Sequence, residues 1–174
     1  MSSVRLLPYE DRDLDLTIAL ETDPVVMKEL GGPATETELA AVHARRLQSR
    51  ARGGVWFVIA IPGPGSGSAP DDLRRVGQTG VFKSNLDGER IDEVGWSLLP
   101  DLHGRGIGSR ALSLLIGQLR GEGTRDELHA LPGVANAPSN ALCEKLGFEL
   151  LGQRAVNHRG SELRCNHWRL ALDR

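Results

Sequence analysis

Residues 103–109, His-Gly-Arg-Gly-Ile-Gly-Ser, set three glycines at alternate positions directly ahead of a helical apolar stripe. No other stretch limits the backbone so sharply. Glycine carries no Cβ, so the chain can turn tightly here and leave its N–H groups uncovered. Ahead of the turn, Ile91 to Leu99 reads as a strand. Behind it, Ile107, Ala111, Leu112, Leu115 and Leu119 fall on one face of a helix expected over Ile107–Arg120. A strand that passes through a glycine turn into a helix start builds an anion pocket, because orphan N–H groups meet the positive end of the helix dipole. Arg105 and Arg110 add charge at its rim. The alternative is a turn that only redirects the chain.

The ligand class narrows by exclusion. The phosphate loop G-x-x-x-x-G-K-[ST] is absent. Gly106 to Ala111 matches G-x-G-x-x-A, with Asp126 20 residues beyond Gly106. That dinucleotide pattern should follow the first strand of a βαβ unit. Here three apparently antiparallel strands precede it, and Asp126 falls ahead of the next strand, so the match is weak.

The remaining pattern gives the fold class. Val4 to Pro8 reads as a strand, followed by helical spacing at Leu14, Ile18 and Ala19. Asp23-Pro24 is expected to restart a helix, stopped by Gly31-Gly32-Pro33. Thr35 and Glu38 form a capping-box pattern for a helix running to about Arg52. The apolar run Gly54 to Ile61 fits a central strand, and Arg75–Lys83 pairs with Ile91–Leu99 around an Asp87-Gly88 hairpin signal. A short strand at Glu127–Leu131 precedes a helix at Ser139–Leu146, closed by Gly147. Phe148–Gln153 and Asn166–Leu172 read as closing strands. This is an α+β pattern: a mixed, mostly antiparallel sheet flanked by helices. The segment 62–72 is rich in Gly, Pro and Ser and reads as a flexible loop inside one domain spanning 1–174.

Composition excludes several classes. With 21 basic and 23 acidic residues in 174, the net charge of −2 lacks the basic footprint of a nucleic-acid binder. No run approaches the ~20 apolar residues of a membrane helix, and the N-terminus has no signal core. Cys143 and Cys165 are too few for a disulfide framework, which points to a reducing, cytoplasmic setting. Cys165-x-His167 is a weak metal signal, and no metal is expected.

Two motifs taken together resemble the GNAT acetyltransferase superfamily. His103 to Gly108 looks like its pyrophosphate motif, [RQ]-x-x-G-x-[GA], and Asn136 to Phe148 looks like its second motif, N-x-x-S-x-x-x-x-E-K-x-G-F. The opening, from Arg5-Leu6-Leu7-Pro8 to Leu30-Gly31-Gly32, is similar to the RimJ/RimL-type branch. The resemblance implies the GNAT acyl-CoA N-acyltransferase fold. It also implies acetyl-CoA as cosubstrate, direct attack of a primary amine on the thioester, and a protein N-terminus or a small-molecule amine as acceptor. It leaves room for a homodimer. It places the pyrophosphate on the amides of Gly104, Arg105, Gly106, Ile107, Gly108 and Ser109, with His103 standing where Arg or Gln is commonest. It places the pantetheine arm along the backbone of Ser97, Leu98 and Leu99, with Asn136 nearby. Asn136 also reads as a helix cap.

The chemistry asks for a proton acceptor and rewards a donor. An amine of pKa ~10 must lose a proton before it attacks. A thiol leaving group of pKa ~8.5 lies about 1.5 units above neutral pH, so a dedicated acid is worth roughly 2 kcal/mol. Glu93 resembles the glutamate some members use as base, and strand alternation puts it on one face with Gly95 and Ser97, opposite Asp92. A solvated strand-end carboxylate is its alternative. Cys143 stands where many members carry a tyrosine acid. As an acid it would sit at the edge of a buried stripe made by Leu142 and Leu146, and as filler it would simply pack. His129 reads as a packed or surface residue. Segments 27–37 and 156–164, with His158 among them, are expected to shape the acceptor pocket. A catalytically silent acyl-CoA binder or sensor shares every cofactor-binding residue and remains the alternative function.

Overall fold

The computed structural model describes residues 3–63 and 73–172. The flexible loop expected over 62–72 lies, from residue 64 onward, outside the described residues. Among those described, the chain forms β1 (Arg5–Pro8), α1 (Leu14–Glu21), α2 (Glu36–Leu47), β2 (Val55–Pro62), β3 (Leu73–Leu86), β4 (Glu89–Leu98), α3 (Ile107–Glu122), β5 (Glu127–Ala130), α4 (Ala137–Lys145), β6 (Glu149–His158) and β7 (Ser161–Ala171). The strands make one seven-stranded sheet in the order β1-β2-β3-β4-β5-β7-β6. Every neighbouring pair is antiparallel except β4–β5. No helix of the described residues is long and apolar enough to cross a membrane.

α3 covers one sheet face. Its buried stripe of Leu112, Leu115, Ile116 and Leu119 packs on Val81, Val94, Leu128, Trp168 and Leu170. Ile107 and Ala111 continue that layer against Ile59, Ile61 and Val76. The other face is covered by α1 and α2, where Leu16, Leu20 and Tyr9 meet Val58. A polar seam runs through this second layer. Gln78 Nε2 donates to Thr17 Oγ1 at 3.1 Å, and Trp56 Nε1 donates to Gln78 Oε1 at 3.0 Å. The Trp56 ring lies across Gly80 and Gly95, which face each other on β3 and β4.

Three expectations need correction. The Asp23-Pro24 helix does not form, and 23–32 is a series of turns. Asp23 Oδ1 accepts the N–H groups of Val25 and Val26 at 2.8 and 3.0 Å, the local side-chain bonding that competes with helix propagation. The capping box at Thr35 is present, but α2 ends at Leu47 and only a 3₁₀ turn spans Arg50–Arg52. The closing strands are longer than expected and meet at a two-residue turn, Arg159-Gly160, with φ of 51° and 78°. The polar run 153–164 hides this because its ladder shows no apolar alternation.

Two kinds of glycine follow from the packing. A Cβ on Gly80 would stand 2.2 Å from the Trp56 ring, so Gly80→Ala should cost about 1–3 kcal/mol in urea unfolding. Gly121 sits in α3 with open space around it, so Gly121→Ala should stabilise by about 0.5–1 kcal/mol.

Candidate active site

β4 is the strand on which the site is built. It pairs with β3 along its whole length but with β5 at one position, Glu93 with His129. Beyond Glu93 the two strands part. β5 instead stays with β7, and the chain after it follows β7 through Asn166 N–H to Pro132 O at 2.9 Å. The β5-facing edge of β4 beyond Val94 is therefore open as far as Leu98, whose carbonyl His103 covers.

Alternation decides which groups face that opening. Leu99 N–H donates to Val76 O at 2.9 Å, toward β3. Antiparallel bonding alternates residue by residue, so Ser97 also turns its backbone groups to β3, while Trp96 and Leu98 turn theirs to the open side. Of the three residues expected along the pantetheine, Leu98 presents its N–H there; Trp96, not among the three, turns its backbone groups the same way.

The glycine turn sits at the end of this edge. Gly104 and Gly106 adopt φ of 74° and 72°, and Gly106 is the N-cap of α3 with no side chain capping it. Ile107, Gly108 and Ser109 open the helix, where backbone N–H groups have no intrahelical partner. Gly108 sits at the packed side of the helix start. A Cβ there would lie 3.4 Å from Leu98 and 3.6 Å from Leu142, so α3 starts in close contact with β4 and α4. Arg110 folds back over the turn, its Nη2 donating to Arg105 O at 3.0 Å. His103 does not point at the turn. Its Nε2–H donates to Leu98 O at 2.9 Å, which fixes the tautomer and ties the turn to β4.

The second motif buttresses the far wall. Asn136 Oδ1 accepts Ser139 N–H at 3.2 Å and caps α4. Its neighbour Asn140, not singled out by sequence, holds more: Nδ2 donates to Gly133 O and Asn136 O, and Oδ1 accepts Trp168 Nε1–H and Asn166 Nδ2–H, all within 2.9 Å. α4 ends in a Schellman turn with Gly147 at φ 83°. Its buried residue is Cys143, with Leu142 and Leu146 half-buried beside it, the reverse of the expected stripe. Burial in the α3-side core pushes the Cys143 thiol up to about 12. A thiol so placed is a weak acid, and its position matches the filler alternative.

Glu93 lies on the opposite face, with Gly95, Phe82 and Ser84. Burial raises its carboxyl above the ordinary carboxylate range, and the Ser84 hydroxyl partly offsets this. His129 is buried beside it in the ladder, its Nδ1 2.8 Å from His167 Nε2 and its Nε2 2.9 Å from Glu127. Cys165 and His167 both lie on β7.

Parts of the segments 27–37 and 156–164 come together. Lys28, Glu29 and Gly31 face Glu162, Leu163 and Arg164 across a cleft of about 300 Å³, whose floor is Gly133–Ala135, the chain leading from β5 into Asn136. His158 stands at the hairpin end, where burial and Arg159 hold it below its ordinary pKa.

A family model described as an acetyltransferase (GNAT) domain matches residues 3–149. The chain belongs to the GNAT acetyltransferase family. The dinucleotide-binding reading falls with that finding. No curated protein matches. Solved structures share the GNAT fold. An acetyltransferase (GNAT family) from Bacillus anthracis is 18% identical, with a TM-score of 0.74 and coverage of 99% of this chain and 97% of that one. The Salmonella typhimurium enzyme that modifies the N-terminal serine of ribosomal protein L7/L12 is 16% identical, with a TM-score of 0.74 and coverage of 98% and 96%. Spermidine N-acetyltransferase from Vibrio cholerae, solved with CoA and spermine, is 14% identical, with a TM-score of 0.76 and coverage of 97% and 95%.

Both cysteines are free and buried. The native protein should therefore expose no thiol to a disulfide reagent at pH 8 and both after denaturation, read by absorbance. Cys143→Ala should cost on the order of 1 kcal/mol of stability, the loss expected for a small buried group.

Proposed function

We propose that this GNAT-family chain is an acetyl-CoA-dependent N-acetyltransferase of the RimJ/RimL-like branch, acting on a primary amine. The observation that carries the reading is the meeting of an uncapped, glycine-started α3 with the open edge of β4. A diphosphate fits the first, because orphan N–H groups and the helix dipole favour anions. An amide-bearing arm fits the second as an added strand, through Trp96 and Leu98. Acetyl-CoA supplies both groups, and its thioester is the activated acyl donor.

The chain's own residues do the rest. The amides of Gly104 to Ser109 hold the pyrophosphate, with Arg105 at the rim. His103 acts indirectly by holding Leu98 O, and Asn136 by fixing the start of α4. The Leu98 N–H is the group placed to polarise a carbonyl at the open edge. Glu93 receives the proton of the attacking amine. Its raised pKa brings it nearer neutral pH, where a general base is most effective. Cys143 has no part in proton transfer. The acceptor enters the cleft between 28–31 and 162–164. The Salmonella and Vibrio enzymes frame the two acceptor classes, a protein N-terminus and a small polyamine.

Acetyl-CoA should raise the melting temperature by mass action, and Gly106→Val should remove most of that rise. At φ 72° a β-branched residue strains the turn that presents the amides. A folded Gly106→Val protein with an undiminished rise would put the pocket elsewhere. Release of thiol from acetyl-CoA over a panel of amines, with product masses, separates an enzyme from a silent binder.

Glu93→Gln should lower kcat by about 100-fold while leaving acetyl-CoA binding within about twofold. The loss should shrink as pH rises and more amine is already neutral. A raised folded-state pKa also means that the folded protein loses stability as pH climbs through it, because burial disfavours the charged form. Glu93→Gln should therefore melt no lower than wild type at pH 8. Wild-type turnover across the pH range would return Glu93 to a structural role.

A further inference from the structure

One buried residue ties both walls of the cleft, the hairpin through its carboxylate and the facing segment through its backbone oxygen. Glu21, at the end of α1, is buried. Its Oε1 accepts Arg46 Nη2–H from α2 at 2.6 Å, and its Oε2 accepts Arg159 Nη2–H from the β6–β7 turn at 2.6 Å. Arg46 is itself held, with its guanidinium 4.9 Å from the centre of the Trp56 ring and Nη1 3.3 Å from Thr17 Oγ1. Glu21 also accepts Ala34 N–H on its backbone oxygen at 2.8 Å. The segment 28–31 is thus strung between two points tied together at Glu21. The strand bearing Glu162, Leu163 and Arg164 begins two residues after Arg159.

Stability alone is a poor reason for such a triad. Removing three charges from water costs about what their attraction returns, and apolar packing of similar size does as well. A three-way ionic contact between residues 138 positions apart does something packing does not: it fixes one relative position of α1, α2 and the hairpin. Glu38 stands 3.8 Å from Arg159 Nε, and His158 and Arg45 flank the same end. Arg159 Nη1 has no hydrogen-bond partner among the described residues, so the hydrogen bond to Glu21, with the looser Glu38 contact, is what ties the Arg159 side chain to the helices.

We propose that Glu21 is a positioning residue for acceptor recognition. Its carboxylate holds the hairpin wall through Arg159, while its backbone oxygen anchors Ala34 at the end of the opposite wall, and together these set the spacing the acceptor meets. The role rests on the reading of this cleft as the acceptor entrance. It predicts a split between acceptor affinity and everything else. The open edge of β4 and the glycine turn lie on other elements and do not depend on the clamp.

Arg159→Leu, Arg159→Lys and Glu21→Gln test it. Leucine and lysine are both unbranched at Cβ, so each meets the φ of 51° at this turn much as arginine does. Steady-state kinetics would use saturating acetyl-CoA with spermidine and with a peptide carrying a free N-terminal serine. Amide hydrogen exchange would be followed over 157–164. For whichever amine the wild type acetylates, Arg159→Leu and Glu21→Gln should raise KM about tenfold or more, with kcat within about threefold and acetyl-CoA affinity within about twofold. Exchange at 161–164 should quicken, and Arg159→Lys should recover a large part of both effects. An unchanged acceptor KM despite faster exchange would overturn the proposal. So would an equal loss of KM, kcat and acetyl-CoA affinity, the mark of general loosening. A wild type that acetylates no amine would overturn the acetyltransferase reading itself, while the exchange data would still report whether the clamp holds the hairpin.

Discussion

The single ladder position between β4 and β5 is the constraint from which the site follows. Parallel strands normally share a continuous row of bonds. Here Glu93 and His129 meet, and beyond them β5 keeps to β7 while β4 keeps to β3. The sheet stays whole on both sides of the opening because each strand retains one full partner. What is left is a strip of β4 backbone at mid-sheet with Trp96 and Leu98 turned into it. An unpaired backbone strip inside a sheet is costly unless something pairs with it. α3 then delivers its uncapped N-terminus to the end of the same strip, with Gly108 packed beside Leu98. Two unsatisfied backbone sets, one suited to an amide chain and one to a diphosphate, end up in line.

Much of this was legible in the sequence, because the informative residues are local. The alternating glycines mark the turn, the apolar stripe marks α3, and Asp87-Gly88 marks the β3–β4 hairpin. Both motifs that carry the family resemblance lie within short spans. The split between β4 and β5 was not legible from residue patterns, since nothing in Val94 to Leu98 distinguishes a strand with one partner from a strand with two. The family resemblance implies that a pantetheine arm would run along this strand, and the bonding of Leu99 to Val76 shows which of its residues face the opening. The stripe on α4 was misassigned for a related reason. A nine-residue helix offers too few positions to fix a buried face, and Cys143, not the leucines, turned out to be central.

The cleft between 28–31 and 162–164, proposed as the acceptor entrance, was least legible. Its walls are held by contacts between distant residues, Glu21 with Arg159 and Asn140 with Trp168, which leave no trace in local spacing. Segments 27–37 and 156–164 were named as pocket-forming, and parts of them do face each other. Their conformation was not foreseen. The first enters through a run of turns over 23–32, beginning at Asp23, where a helix was expected, and the second is a tight hairpin turn between β6 and β7. The two faces of the sheet differ accordingly: an apolar layer under α3 packs on β4, and a polar, ion-paired layer under α1 and α2 lies on the other side.

The central claim is that the open edge of β4 and the start of α3 form one ligand seat. Amide hydrogen exchange with and without acetyl-CoA tests it most directly. Trp96 and Leu98 on β4 and the amides of Gly104 to Ser109 should slow together on binding, while Ser97 and Leu99, already turned to β3, change little. Protection at the α3 turn alone, or at a surface remote from both, would contradict the account.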